Sequence, residues 1–235
     1  STEQPIAISW DKSLRKIMQK LNEARDWDVF EHEILPDILK KMTSVSEHEP
    51  IQQATLATIQ DIAIKTRQRT QKKLHHIEFT VLILAIERHL MALSSHTEMT
   101  TKEHIQQWAT KILEDRWQVL HRCCQGLTTQ TGAKRHQARI AAKKMRYAAD
   151  TLFSLFNRKN PQRFTEMLAN LQDELGYTND RRVALQLLQQ VAQKKGSAAF
   201  DLGRFSGTLE IETLQREHQS SDAWRSLSRM KLFWR

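Results

Sequence analysis

Glycine and proline are scarce in this chain of 235 residues, at six and four. Folds built from many short strands need such residues at their turns, so an all-β sandwich or barrel is a poor fit. Cysteine is scarcer still: Cys123 and Cys124 are the only two, and they are neighbours. Adjacent cysteines lie too close to bridge easily, which excludes a disulfide framework and suits a reducing, cytoplasmic setting. There is no CxxC, no HExxH and no Glu-x-x-His, so common redox, zinc-protease and di-iron patterns are missing. The ten histidines lack a matching set of cysteines or carboxylates, and neither a metal nor a cofactor is expected. The longest apolar run, VLILAI (Val81 to Ile86), is far short of the roughly 20 residues that cross a bilayer, so no transmembrane segment is expected. The opening STEQPIAISW has no basic stretch leading into an apolar one, and no signal peptide is expected.

What remains is rich in Leu, Ile, Ala, Gln, Lys and Arg, with apolar residues at helical spacing: an all-α chain. Helices are expected over about 9–22, 25–42, 49–93 with one break, 100–125, 133–157, 160–175, 179–195 and 205–233. Pro50 and Pro161 suit helix starts, Pro36 should kink or end its helix, and Gly176 followed by Asn179 and Asp180 reads as a C-cap and new N-cap. GLTTQTG (Gly126 to Gly132) is the expected linker, dividing the chain into bundle halves at 1–130 and 131–235. A faint repeat supports two halves. Shifting the chain by 154 residues superposes Trp10, Leu14, Ile17, Leu21, Asp26 and Val29 on Phe164, Leu168, Leu171, Leu175, Asp180 and Val183.

Charge narrows the function. Net charge is 36 − 27 = +9 and the pI is about 9.7, which calls for an anionic partner. The charge is concentrated. KRHQARIAAKKMRYAAD (Lys134 to Asp150) carries six Lys/Arg and one His before its first acid. At 100° per residue, Ala141, Met145, Ala148 and Leu152 form an apolar face, while His136, Arg139, Lys143 and Arg146 line the opposite one. Lys144 lies off that stripe, near Ile140 and Tyr147. A solvated helix face usually mixes signs, because i,i+4 pairs stabilise it. A second stripe of Lys65, Arg69, Lys72 and His76 is expected opposite a core face of Ile59, Ala63, Leu74, Ile77 and Val81. Arg116 falls among Ala109, Ile112, Leu113 and Leu120, where burial would demand a partner, either an internal carboxylate or a bound anion. Single-stranded nucleic-acid sites interleave aromatics for base stacking, and here only Tyr147 is near a stripe. Bare cationic stripes suit a phosphate polymer without bases; a nucleic-acid-binding helical protein is the alternative. Without clustered carboxylates for Mg²⁺, phosphoryl-transfer chemistry has no seat and no enzyme is expected.

HQARIAAKKMRY (His136 to Tyr147) resembles the signature of CHAD domains, the conserved-histidine α-helical domains. ARDWDVF (Ala24 to Phe30), LQDELGYTND (Leu171 to Asp180) and the C-terminal Phe233–Trp234 are similar to further elements of that family, in the same order. The resemblance implies two helical bundles related by a pseudo-twofold repeat, with basic helices around a groove or pore that binds inorganic polyphosphate. It implies His136, Arg139, Lys143, Lys144 and Arg146 as phosphate ligands, and Lys65, Arg69, Lys72, His76, Arg116 and Arg25 (in the ARDWDVF element) are expected to join them. The expected partners are polyphosphate and, non-specifically, nucleic acid. The expected location is the cytoplasm, on polyphosphate granules. The family's first half carries its own His-Arg helix; by the repeat it would lie before residue 1, so the N-terminal bundle is expected to lack its first helix.

Overall fold

The computed structural model describes residues 4–43, 53–74, 77–94, 101–127, 132–156, 161–194 and 198–235. Eight α-helices account for nearly all of them: α1 (Gln4–Val29), α2 (Leu35–Thr43), α3 (Gln53–Leu74), α4 (Ile77–Ser94), α5 (Lys102–Cys124), α6 (Gly132–Leu152), α7 (Pro161–Lys194) and α8 (Ala199–Ser228). A π-helical turn, Phe30–Ile34, joins α1 to α2. Its widened turn lies just ahead of Pro36, where the missing N–H and the bulk of the ring would strain a regular α-turn. The helix is therefore re-spaced at Pro36 rather than ended there. Pro161 begins α7 as expected, while Pro50 lies outside the described residues. Thr101 caps α5, its hydroxyl accepting from the His104 amide at 3.4 Å, and Gly126 takes the left-handed conformation (φ 66°) just past the end of that helix.

The expected break at Gly176 is absent, because α7 runs unbroken through it. Glycine inside a helix costs about 1 kcal/mol relative to alanine. Here Leu171, Leu175, Thr178 and Arg181 are buried on either side and hold the helix together through packing. Asn179 and Asp180 do not cap; their side chains engage α6, as described below.

The chain divides into two compact units, Ser1–Glu98 with Val183–Leu209, and Met99–Arg182 with Glu210–Arg235. The division does not follow the boundary expected at residue 130. The reason is that α5 pairs with α6, and α7 and α8 each contribute to both units. In the first unit α1 packs along α3, with Trp27, Phe30, Ile34, Ile38, Ile59 and Ala63 in one apolar core that also takes Leu187, Val191 and Phe205. Arg67 on α3 clamps the π-turn, donating to Asp28 at 2.8 Å and Glu31 at 2.7 Å. Thr55 donates to the buried Asp201 at 2.7 Å and ties the start of α3 to that of α8. Val81, expected in this core, is exposed, as are Leu84, Leu90 and Met91 on the same α4 helix. An α4 that is apolar nearly all round cannot bury every side against one neighbour. The repeat-related positions also differ: Leu14, Ile17 and Leu21 are half-buried, whereas Leu168, Leu171 and Leu175 are fully buried.

The second unit is organised around α6. Ala138, Ala141, Ala142, Met145 and Ala149 form its buried face against α5 and α7. Beyond them lies an aromatic cluster in which Phe164 meets Trp234 edge-on at 5.2 Å and Phe233 at 5.7 Å, with Trp117 at 5.9 Å. Each such ring removed from water contributes about 1.5–3 kcal/mol. The C-terminal Phe233–Trp234 pair is thus core of this unit.

Candidate polyanion-binding site

Burying the alanine-rich face of α6 leaves its basic face to the outside. Lys143 and Lys144 are exposed, and His136, Arg139 and Arg146 are half-buried. At a rise of 1.5 Å per residue, the stripe from His136 to Arg146 is about 15 Å long. Its members differ in how far they are already neutralised. Arg146 lies 3.5 Å from Asp150 on the same helix, and Arg139 lies 3.9 Å from Asp180 on α7. Lys143 rests its ammonium 5.7 Å from the centre of the Tyr147 ring. Asp150 closes the stripe at i+4, as helical spacing on α6 shows, whereas Asp180 comes from α7; the stripe keeps a surplus of positive charge.

The α7 face that meets the stripe is polar and closely held. Gly176 presents bare backbone beneath Arg139: a Cβ there would sit 3.9 Å from the Arg139 Nε. The Asn179 side-chain oxygen lies 3.1 Å from His136 Nδ1 and accepts from Arg182 Nη2 at 3.3 Å, while its amide donates to Asp180 at 3.2 Å. One turn away, Tyr177 is packed between two guanidinium groups. Arg181 is 3.3 Å and Arg216 4.0 Å from its ring centre, a strong cation–π arrangement. The Tyr177 hydroxyl and Arg181 both donate to Glu212, at 3.0 and 3.1 Å, and Arg216 grips Glu174 with two bonds of 3.1 Å. These pairs fix α7 against α8 and so hold Asn179 and Asp180 in place.

Of the other expected residues, Lys65, Arg69 and Lys72 form an exposed stripe on α3 in the first unit, with Lys65 already paired to Asp61 at 2.6 Å. Arg25 is exposed on α1, and His76 lies outside the described residues. Arg116 corrects the sequence reading: it is exposed, not buried. The buried face of α5 runs through Ala109, Leu113, Trp117, Leu120 and Cys124, which leaves Arg116 on its flank, where a long stem reaches water. Sequence reading missed Tyr177, Arg181, Arg182 and Arg216. It also missed the use made of Asn179 and Asp180, because these side chains are matched across helices rather than along one.

Among the described residues no group of three His, Cys, Asp or Glu is placed to hold a metal ion. Burial, with Cys123 beside it, pushes the Cys124 thiol up to about 12, far from a reactive thiolate. No helix among the described residues is long and apolar enough to cross a membrane.

No curated protein matches the chain. Among solved structures it is similar to the crystal structure of the CHAD domain from the plant Ricinus communis, with 24% identity and a TM-score of 0.73, over 95% of this chain and 73% of that one. The CHAD domain family model matches residues 3–189. With that match spanning most of its length and its described elements all helical, the chain belongs to the CHAD domain family.

Proposed function

We propose that this chain is a non-catalytic module that binds inorganic polyphosphate along the α6 stripe, through His136, Arg139, Lys143 and Arg146, with Lys144 beside the stripe. The observation that carries this reading is a row of cations about 15 Å long by helical rise, with surplus positive charge and Tyr147 beside Lys143. A linear anion can lie along such a row, and its counterions are released as successive phosphates meet Lys and Arg. Membership of the CHAD family supports the same ligand. Lys65, Arg69 and Lys72 on α3, with Arg25, Arg116 and His76, are proposed as further basic contacts, each to be tested separately. On this reading the chain would gather where polyphosphate does, on granules.

Tyr147 favours one alternative. The residue is 58% exposed, with its ring beside Lys143, so a single nucleic-acid base could stack there. A titration of polyphosphate, RNA and DNA at matched charge and several salt concentrations decides between them. Polyphosphate should bind most tightly, with a log–log salt slope of roughly 0.7–0.9 per phosphate neutralised, by analogy with nucleic acids. Replacing Arg139, Lys143 and Arg146 together with Glu should abolish binding and leave the helical circular dichroism intact. RNA binding equally well at equal charge, or a flat salt dependence, would overturn the reading. Release of phosphate from the polymer in the presence of Mg²⁺ would overturn its non-catalytic part.

A further inference from the structure

The hydrogen bonds around Asn179 fix more than its position. A carboxylate only accepts and a guanidinium only donates. Asp180 therefore takes the Asn179 NH₂ group at 3.2 Å, and Arg182 Nη2 takes its oxygen at 3.3 Å. With both ends of the amide assigned by partners of fixed polarity, the atom that faces His136 Nδ1 at 3.1 Å is an acceptor. His136 must donate to it, so its proton sits on Nδ1. When the ring is neutral, Nε2 then carries only a lone pair.

This has a consequence for an anion. A phosphate oxygen is also an acceptor, and two acceptors do not bond. We propose that Asn179 is a positioning residue that holds neutral His136 in the Nδ1–H form, so that His136 engages a phosphate oxygen only as an imidazolium and the α6 site takes up a proton on binding. The proton goes to Nε2 from solvent, and Nε2–H then donates to the anion while Nδ1–H stays on Asn179. The inference rests on the α6 stripe being the polyphosphate site. The charged groups that meet the ring's surroundings are Asp180 and Arg182 from α7 and Arg139 one turn along α6. By helical geometry α5 packs on the opposite side of α6, against Ala138, Ala141 and Met145. On the α8 side the neighbouring Arg135 is turned away, to the Leu127 carbonyl and Ser220.

The lock itself is tested without any ligand. Long-range ¹H–¹⁵N spectra of the full chain at pH 8.5, with His136 assigned through a His136→Gln variant, should show the Nδ1–H tautomer; an Nε2–H pattern overturns the proposal. Binding of long-chain polyphosphate is then measured at pH 6 and 8.5. Affinity should be roughly tenfold or more tighter at pH 6, the size expected for one charge-assisted hydrogen bond. Calorimetry in buffers of different ionisation heat should show proton uptake. Asn179→Leu frees the ring to place its proton on Nε2, so affinity at pH 8.5 should rise toward the pH 6 level. His136→Gln should flatten the profile. A wild-type profile that is already flat, or one that survives unchanged in both variants, overturns the proposal. A purely structural role for Asn179 would lower affinity equally at both pH values. If polyphosphate binds at neither pH while the tautomer is Nδ1–H, the polyphosphate reading falls and the lock stands.

Discussion

Glu114 on α5 holds the C-terminal segment of the second unit to its core. It receives Arg235 through Nη2 at 2.5 Å and Nε at 2.9 Å, Trp234 Nε1 at 3.2 Å, and Gln118 at 3.3 Å. The Arg235 bond, with further help from Trp234 and Gln118, outweighs partial burial and lowers the carboxyl from 4.5 to about 2. At 1.36 kcal/mol per unit, that drop corresponds to at most ~3.4 kcal/mol. The Glu114 side chain is only 25% exposed but Arg235 is 58% exposed, so water screens the pair and about 1–2 kcal/mol is the reasonable net value. Because the folded carboxyl titrates below the unfolded one, this contribution is complete above about pH 4.5 and is lost as pH falls toward about 2. Glu114→Gln keeps an acceptor and removes the charge. Urea or thermal unfolding at pH 7 should show the variant less stable by that amount, roughly 2–8 °C in Tm for a chain of this size. At pH 2.5 the gap should narrow markedly. A gap of the same size at both pH values would refute the charge-based reasoning, and no gap at pH 7 would show that the clamp contributes nothing.

Within the α6 stripe, single alanine substitutions should not be equivalent. Lys143→Ala should weaken polyphosphate binding more than Arg146→Ala, because Arg146 is already partly neutralised by Asp150; calorimetric titration at fixed salt gives the order, and the reverse order would contradict it. In the first unit, Arg67→Met should cost roughly 1–3 kcal/mol in denaturant unfolding, since it strands Glu31, whose side chain is only 12% exposed. A loss below about 0.5 kcal/mol would mean that the pair behaves as a surface salt bridge.

The residues that announced themselves in the sequence are those whose role is set along a single helix. The apolar face of α6 and its basic opposite are consequences of 3.6-residue spacing, and Ala141, Met145 and Leu152 lie where that spacing puts them. Pro161 and the end of α5 near Gly126 are local chemistry as well. What spacing could not supply is matching between helices. Gly176, Asn179 and Asp180 carry every local mark of a helix stop, and local propensity lost to the packing of Leu171, Leu175 and Arg181 on both sides. Arg116 and Val81 looked buried because a periodic pattern does not say how wide the covered face is; α5 is covered around Leu113 and Trp117, and α4 is covered very little. Of the acids at the edges of the α6 stripe, Asp150 follows from i+4 spacing on α6, whereas Asp180 was not legible because it comes from another helix.

That cross-helix pairing bears on how a folded chain can tolerate such a stripe. Like charges at i,i+4 on one helix destabilise it, by roughly 0.2–0.5 kcal/mol per pair in isolated helices. On α6, Arg139 and Lys143 are such a pair. Asp180 lies near Arg139, and Asp150 lies near Arg146 at the far end, so acids stand at both ends of the row and not at its middle. Acids placed against Lys143 and Lys144 would relieve more repulsion but would cancel the field an anion must meet. The buried face of α6 makes the compromise affordable. Four of its residues, Ala138, Ala141, Ala142 and Ala149, are alanine, which favours the helix and lets neighbouring helices approach closely. From α7, Asn179 and Asp180 reach His136 and Arg139 at 3.1 and 3.9 Å. The alanines thus support the helix against its own charge, while Asn179 and Asp180 of α7 orient that charge.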